Sequence, residues 1–214
     1  MYKSGQKIAL MDLDRLLGDF SEGAKELGVE EIYKRCWDDP ELLLKEIKNY
    51  DPKEIEEKSK KLVESFKVYP ETIPFLKEMK NRNFHNAVLT DNFLCGSEEN
   101  KKKIMKNFSD GKVCYVDEIY CTMEMVEEGG KTLIKPNGSK EEFAKKRFEI
   151  YNSGILIVEG RNDVKVALEI RKFAREKRFP VKIIKVGDNC KELNEFVDYS
   201  VENLYDALNF IDEK

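Results

Sequence analysis

The chain has 214 residues, 41% hydrophobic and 37% charged. That is enough apolar mass for one substantial core with a small accessory unit, too little for two large domains, and too much for a disordered chain. Acidic residues outnumber basic ones 42 to 38, a formal net charge of −4, so no general positive field is available to grip a nucleic acid backbone or an anionic membrane.

No apolar run approaches the ~20 residues of a bilayer span, and the polar stretch Met1 to Gln6 does not read as a signal peptide. The five cysteines form no C-x-x-C pair and there is one histidine, His85, which leaves no thiolate–imidazole zinc site. The expectation is a cytoplasmic protein with free thiols, no membrane association and no nucleic acid partner.

Along the chain, Lys7 to Leu13 (KIALMDL) is a compact apolar segment ending in acid, the pattern of a buried strand that delivers Asp12 and Asp14 at its carboxyl end. Residues 18–66 are rich in Glu, Lys and Leu at helical spacing, with helix starts at Asp39-Pro40 and Asp51-Pro52, and read as an insertion of about four short helices. An amphipathic helix carrying Ile73, Leu76 and Met79 precedes a strand over Ala87 to Leu89, closed by Thr90-Asp91-Asn92. A lysine-rich helix over 97–107, a strand over 115–120, and a hairpin of 124–126 and 132–134 around Gly129-Gly130 follow. Ser139 caps a helix from Lys140 to Tyr151. Ile155 to Val158 is a strand, 164–178 a helix, 181–186 a strand, and Tyr199 to Val201 a short strand before a helix over 204–211. The alternation predicts an α/β protein: a three-layer, doubly wound, Rossmann-like parallel sheet built from 1–17 and 67–214, with 18–66 as a helical cap inserted after the first strand.

Acids and small polar groups follow these strands in order: Asp12 and Asp14, Thr90, a lysine at 135 or 140, then Glu159 and Asp163. Taken singly each has a plain reading as a turn, a helix cap or a solvated charge. Taken together they hold what phosphoryl transfer to a carboxylate needs: a nucleophile, a second acid to protonate the leaving oxygen, hydroxyl and ammonium donors for the phosphoryl oxygens, and hard oxygen ligands for a divalent cation.

The segments "IALMDLDRLL", "NAVLTDN", "SKEEF" and "ILIVEGRNDVKVA" resemble, in order, the four motifs of the haloacid-dehalogenase-like superfamily, and the hairpin before the lysine is similar to the phosphoserine-phosphatase branch. The resemblance implies a Mg2+-dependent phosphatase acting through an aspartyl phosphate on a small phosphorylated substrate. Asp12 is then nucleophile and metal ligand. Asp14 is general acid/base and also contributes to the metal. Thr90, with Asp91 and Asn92 beside it, binds phosphate, and Glu159 and Asp163 hold the metal or its water. The insertion corresponds to a cap whose residues, among them Phe20, Glu22, Tyr33, Arg35 and Trp37, select the substrate or form the cap's own core.

Two departures from the pattern stand out. Arg15 and Leu16 follow the second aspartate where the family has a small residue and then threonine, and Glu159 replaces the usual aspartate of the last motif. The lysine is either Lys140, preferred because its helix then runs without a gap, or Lys135 of Lys135-Pro136. A catalytically inactive binding protein on the same fold is one alternative. A toprim-type nucleic acid enzyme, from the likeness of "ILIVEGRND", is another.

Overall fold

A computed structural model of the chain describes residues 6–36, 42, 45–46, 51–129 and 131–211. In chain order the elements are β1 (Lys7–Asp12), β2 (Gly18–Asp19), α1 (Ser21–Glu26), α2 (Glu30–Cys36), α3 (Pro52–Glu64), β3 (Lys67–Val68), α4 (Thr72–Asn81) and β4 (Phe84–Thr90). Next come α5 (Glu98–Lys106), β5 (Glu118–Cys121), β6 (Met123–Glu128), β7 (Lys131–Pro136), α6 (Lys140–Phe148), β8 (Gly154–Val158), α7 (Asp163–Lys177), β9 (Val181–Val186), β10 (Tyr199–Val201) and α8 (Leu204–Ala207).

Six strands form one sheet in the order β10-β9-β8-β1-β4-β5, every neighbouring pair parallel. From β1 the chain winds outward through β4 to β5, then returns to the other side of β1 and winds outward again through β8, β9 and β10. This reversal places the topological switch point at β1, where side chains beyond the strand ends gather. Apolar residues fill both faces: Ile8 and Leu10 join one buried cluster with Leu89, Leu156 and Val158, while Ala9 and Met11 join the other with Val88, Ile155 and Ile157. The period of two in β1 thus serves two helical layers, as expected of a sheet covered on both sides. Among the described residues no helix is long and apolar enough to cross a membrane.

The insertion is entered and left through the antiparallel pair β2 and β3, Gly18 opposite Val68 and Asp19 opposite Lys67. A Cβ on Gly18 would stand 2.3 Å from the Lys67 carbonyl oxygen, so only glycine lets the two strands close. The insertion's Phe20, Ala24, Leu62, Val63 and Phe66 belong to the same apolar cluster as Met11 and Phe108, with Phe20 and Phe66 rings 4.7 Å apart and Phe66 and Phe108 rings 5.6 Å apart. Asp51 caps α3 by accepting from Lys53 N–H at 2.8 Å, with Pro52 in the first turn. The start expected at Asp39-Pro40, and Trp37, lie outside the described residues, as does the side chain of Arg35.

Most elements fall where the pattern places them; α6 ends at Phe148 instead of Tyr151, and three others differ. β4 begins at Phe84 instead of Ala87, because the polar His85 and Asn86 find partners inside: His85 Nε2 lies 3.1 Å from Glu118 Oε1, and Asn86 Nδ2 donates to the carbonyls of Leu76 and Tyr115. β5 is shifted to 118–121 because Tyr115 reaches the core from a loop while its hydroxyl donates to Asp110. The last helix ends at Ala207 and continues as a 3-10 turn over 208–210.

Candidate active site

Three adjacent central strands carry the site. β1 ends on Asp12, which is level with Leu89 in β4, so Thr90 lies one residue beyond it; Met11 is level with Ile157 in β8, so Glu159 follows two residues past that level. Lys140 opens α6, capped by Ser139, whose hydroxyl accepts from Glu142 N–H at 3.3 Å. Asp163 opens α7.

The centre is a buried ammonium. Lys140 Nζ lies 3.3 Å from Asp12 Oδ1, 3.1 Å from Asp91 Oδ2 and 3.2 Å from Asp163 Oδ1. Burial alone would depress the Lys140 pKa, but Asp12, Asp163 and Asp91 outweigh it and raise it well above the ordinary value. Asp12 is pushed well above the usual carboxylate range by burial; Lys140 opposes this, while Asp163, Asp14 and Asp91 add to it. Asp12 Oδ1 also accepts from Leu13 N–H at 2.8 Å. Both of its contacts fall on Oδ1, and Oδ2 takes none among the described residues.

Asp14 sits in a different setting. Its carboxylate accepts from Asn92 Nδ2 at 3.1 and 3.2 Å, from the Thr90 hydroxyl at 3.4 Å and from the Tyr33 hydroxyl at 3.3 Å. Burial raises its pKa to about 6, against the lowering effect of Asn92, Lys140, Tyr33 and Thr90. Tyr33 comes from α2 in the insertion, so the insertion touches the site directly. Sequence reasoning offers this residue only as a general cap candidate, and nothing in helix spacing tells a core tyrosine from one reaching across to a strand end.

Several expectations are refined or corrected. Lys135 stands on the hairpin, 41% exposed, paired with Glu128; Lys140 is the lysine within the cluster. The side chains of Asp91 and Asn92, expected beside the phosphate, are both engaged with protein groups. Asp91 bridges Lys140 and the Thr122 hydroxyl (2.7 Å), and Asn92 is used on Asp14 and on its own turn, where Oδ1 accepts from Leu94 N–H at 3.0 Å. Nor do the carboxylates of Asp12, Asp14, Glu159 and Asp163 converge as a cage. Asp163 gives Oδ1 to Lys140 and Oδ2 to the N–H groups of Glu159 and Gly160, while Glu159 Oε1 takes the side-chain amide of Asn189. Among the described residues no group of three or more His, Cys, Asp or Glu side chains is arranged to hold a metal. The physical reason is Lys140, which draws the oxygens of Asp12, Asp91 and Asp163 onto itself. Of the departures, Leu16 is core and Arg15 is exposed at φ 62°, in a left-handed turn whose N–H reaches Gly18 carbonyl oxygen at 2.9 Å.

A divalent cation still fits the donor chemistry. Three buried or half-buried carboxylates, Asp12, Asp91 and Asp163, face one ammonium, an excess of negative charge that a hard cation relieves. The groups that the motif resemblance offers to it, Asp12, Asp14, Glu159 and Asp163, carry only hard oxygen donors, the kind Mg2+ takes.

No protein-family model matches the chain, and no curated protein matches it. Solved structures do. Phosphoserine phosphatase in its apo form is 21% identical, with TM-score 0.71, over 97% of this chain and 100% of the other. A phospho-aspartyl intermediate analogue of phosphoserine phosphatase is 21% identical, with TM-score 0.69, over 97% and 99%. A HAD family hydrolase from Salmonella enterica serovar Typhi is 14% identical, with TM-score 0.67, over 97% and 72%. Glu159, on which the toprim alternative rests, accepts from the side-chain amide of Asn189, and the neighbouring Asp188 is exposed.

Proposed function

We propose that this chain, which has the haloacid-dehalogenase-like fold in the arrangement of phosphoserine phosphatase, is a magnesium-dependent phosphatase working through an aspartyl phosphate on a small phosphorylated metabolite. One observation carries the reading: two strand-end aspartates one residue apart stand in different settings, Asp12 with an open Oδ2 beside the Lys140 ammonium and Asp14 held by the neutral donors Asn92, Thr90 and Tyr33. Pairs of carboxyls whose surroundings separate their tasks are how one fold runs nucleophile and acid side by side.

In this account Asp12 Oδ2 attacks phosphorus as the bond to the leaving oxygen breaks, and Asp14, protonated, delivers its proton to that oxygen. Asp14, now ionised, takes a proton from the water that next attacks phosphorus, releasing phosphate and restoring Asp12. Lys140 and the Thr90 hydroxyl donate to phosphoryl oxygens. Asp163 acts as a positioning residue: through its two oxygens it ties Lys140 to the N–H groups of Glu159 and Gly160. When bound, Mg2+ held by Asp12, Glu159 and the Asp14 carbonyl supplies neutralisation of the phosphoryl charge.

The insertion is the cap, joined to the core through β2 and β3, and Tyr33 reports its position to Asp14. A closed cap leaves room for a small substrate and excludes water. The free thiols of Cys95, Cys114, Cys121 and Cys190 accord with work in the cytoplasm. The test is release of phosphate from p-nitrophenyl phosphate and from a panel of phosphorylated metabolites including phosphoserine. Turnover that needs Mg2+ and is lost in Asp12→Asn supports the reading, and magnesium-independent turnover or turnover that survives Asp12→Asn overturns it.

A further inference from the structure

Three carboxylates crowd the Lys140 ammonium: it donates to Asp163 at 3.2 Å and forms ion pairs with Asp12 at 3.3 Å and Asp91 at 3.1 Å. A phosphoryl oxygen approaching that ammonium has to compete with three negative charges already around it. If Lys140 is to bind phosphate, one carboxylate must give way. Asp163 is the worst candidate, since its side chain is 4% exposed and its second oxygen is held by two backbone N–H groups. Asp12 must stay beside the phosphorus it attacks. Asp91 is 19% exposed, and its second oxygen is held by one hydroxyl, that of Thr122 at 2.7 Å.

We propose that Asp91 is an internal counter-ion that occupies the phosphate position on Lys140 and is displaced when a phosphoryl group binds. This deepens the phosphatase reading and rests on it. The Asp91 carboxylate competes with phosphate for the same ammonium and repels its negative charge, so it weakens the hold on every phosphate ester and makes the affinity of the site depend on contacts outside the phosphoryl group, those of the cap. The chain thereby favours substrates whose remainder the cap grips and discriminates against free phosphate, its own product.

Asp91→Asn tests this, because an amide keeps an acceptor for Thr122 while removing the charge. With Mg2+ present, calorimetric titration with inorganic phosphate is expected to give binding about tenfold tighter in the variant than in the parent, and KM for p-nitrophenyl phosphate falls by a similar factor, the change carried by KM. Thr122→Val, which frees Asp91 from its anchor, shifts both quantities the same way by about threefold and serves if the first variant does not fold. Unchanged or weaker phosphate binding in the folded variants, with parental turnover intact, overturns the counter-ion role and leaves the phosphatase reading standing. No turnover in the parent and no phosphate binding by any of the three proteins overturns both.

Discussion

At the amino end of β4, His85 lies between Asp117 and Glu118, 3.5 Å from the first and 3.1 Å from the second, and those two acids also pair with Lys80 and Arg147. At the carboxyl end of the same strand, Lys140 lies between Asp12, Asp91 and Asp163, with Asp14 and Glu159 close by in the chain. Both ends cluster charge on the rim of one sheet, yet their balances differ. The amino-end acids each have a permanent cation of their own. At the carboxyl end three acids, Asp12, Asp91 and Asp163, share one ammonium. Matched charges staple elements together, whereas an unmatched excess is a site waiting for a cation and an electrophile. The comparison therefore separates residues whose loss should be felt in chemistry from those whose loss should be felt in folding.

Four substitutions and additions would break or sharpen that contrast. Asp12→Asn is expected to lower kcat for p-nitrophenyl phosphate by at least about 10³-fold without lowering the melting temperature, since it removes a carboxylate whose charge burial disfavours more than Lys140 favours it. A large loss of stability would put Asp12 with the staples. Lys140→Met leaves three carboxylates without their ammonium and is expected to cost about 3–5 kcal/mol in urea unfolding. A cost below about 1 kcal/mol would show that the cluster is solvated and not held. Added Mg2+ at a hundredfold excess over its dissociation constant should stabilise the parent by about 2.7 kcal/mol, with a smaller gain in Asp12→Asn; equal gains would place the ion elsewhere. Glu118→Gln, which weakens the contacts to Arg147 and His85, is expected to cost about 1 kcal/mol and to leave kcat as it was, and a fall in kcat would erase the distinction between the two ends.

Much of this was legible in the residues. Apolar runs that stop in acid mark buried parallel strands, and β1, β8 and β9 fall within a residue of where that rule puts them. The order Asp12, Asp14, Thr90, a lysine at 135 or 140, Glu159, Asp163 points to the carboxyl edge of the sheet, where the fold brings Asp12 and Asp163 to Lys140 and Thr90 to Asp14. What the residues could not say depends on distant partners. His85 and Asn86 look like a loop until Glu118 and the carbonyls of Leu76 and Tyr115 are set against them. Lys135 and Lys140 both follow strand-like segments and both precede a plausible start, and only the packing of α6 against β1 separates the exposed one from the buried one. The bridge from Lys140 to Asp91, and the reach of Tyr33 across to Asp14, join segments far apart in sequence. No periodicity encodes either.

Smaller effects attend the second acid. Asn92→Ala strips Asp14 of its nearest donor and should reduce kcat about 10–100-fold, the usual size for a group that orients a catalytic one. An unchanged kcat would assign the proton transfer to another residue.

The central claim is that Asp12 carries the phosphoryl group. During steady turnover of p-nitrophenyl phosphate with Mg2+, acid quench followed by borohydride reduction converts an aspartyl phosphate to homoserine, which peptide mass spectrometry locates by its mass. The account predicts homoserine at position 12, absent when substrate or Mg2+ is omitted. Turnover under the same conditions with no modification at position 12, or with modification at another carboxylate, would contradict it.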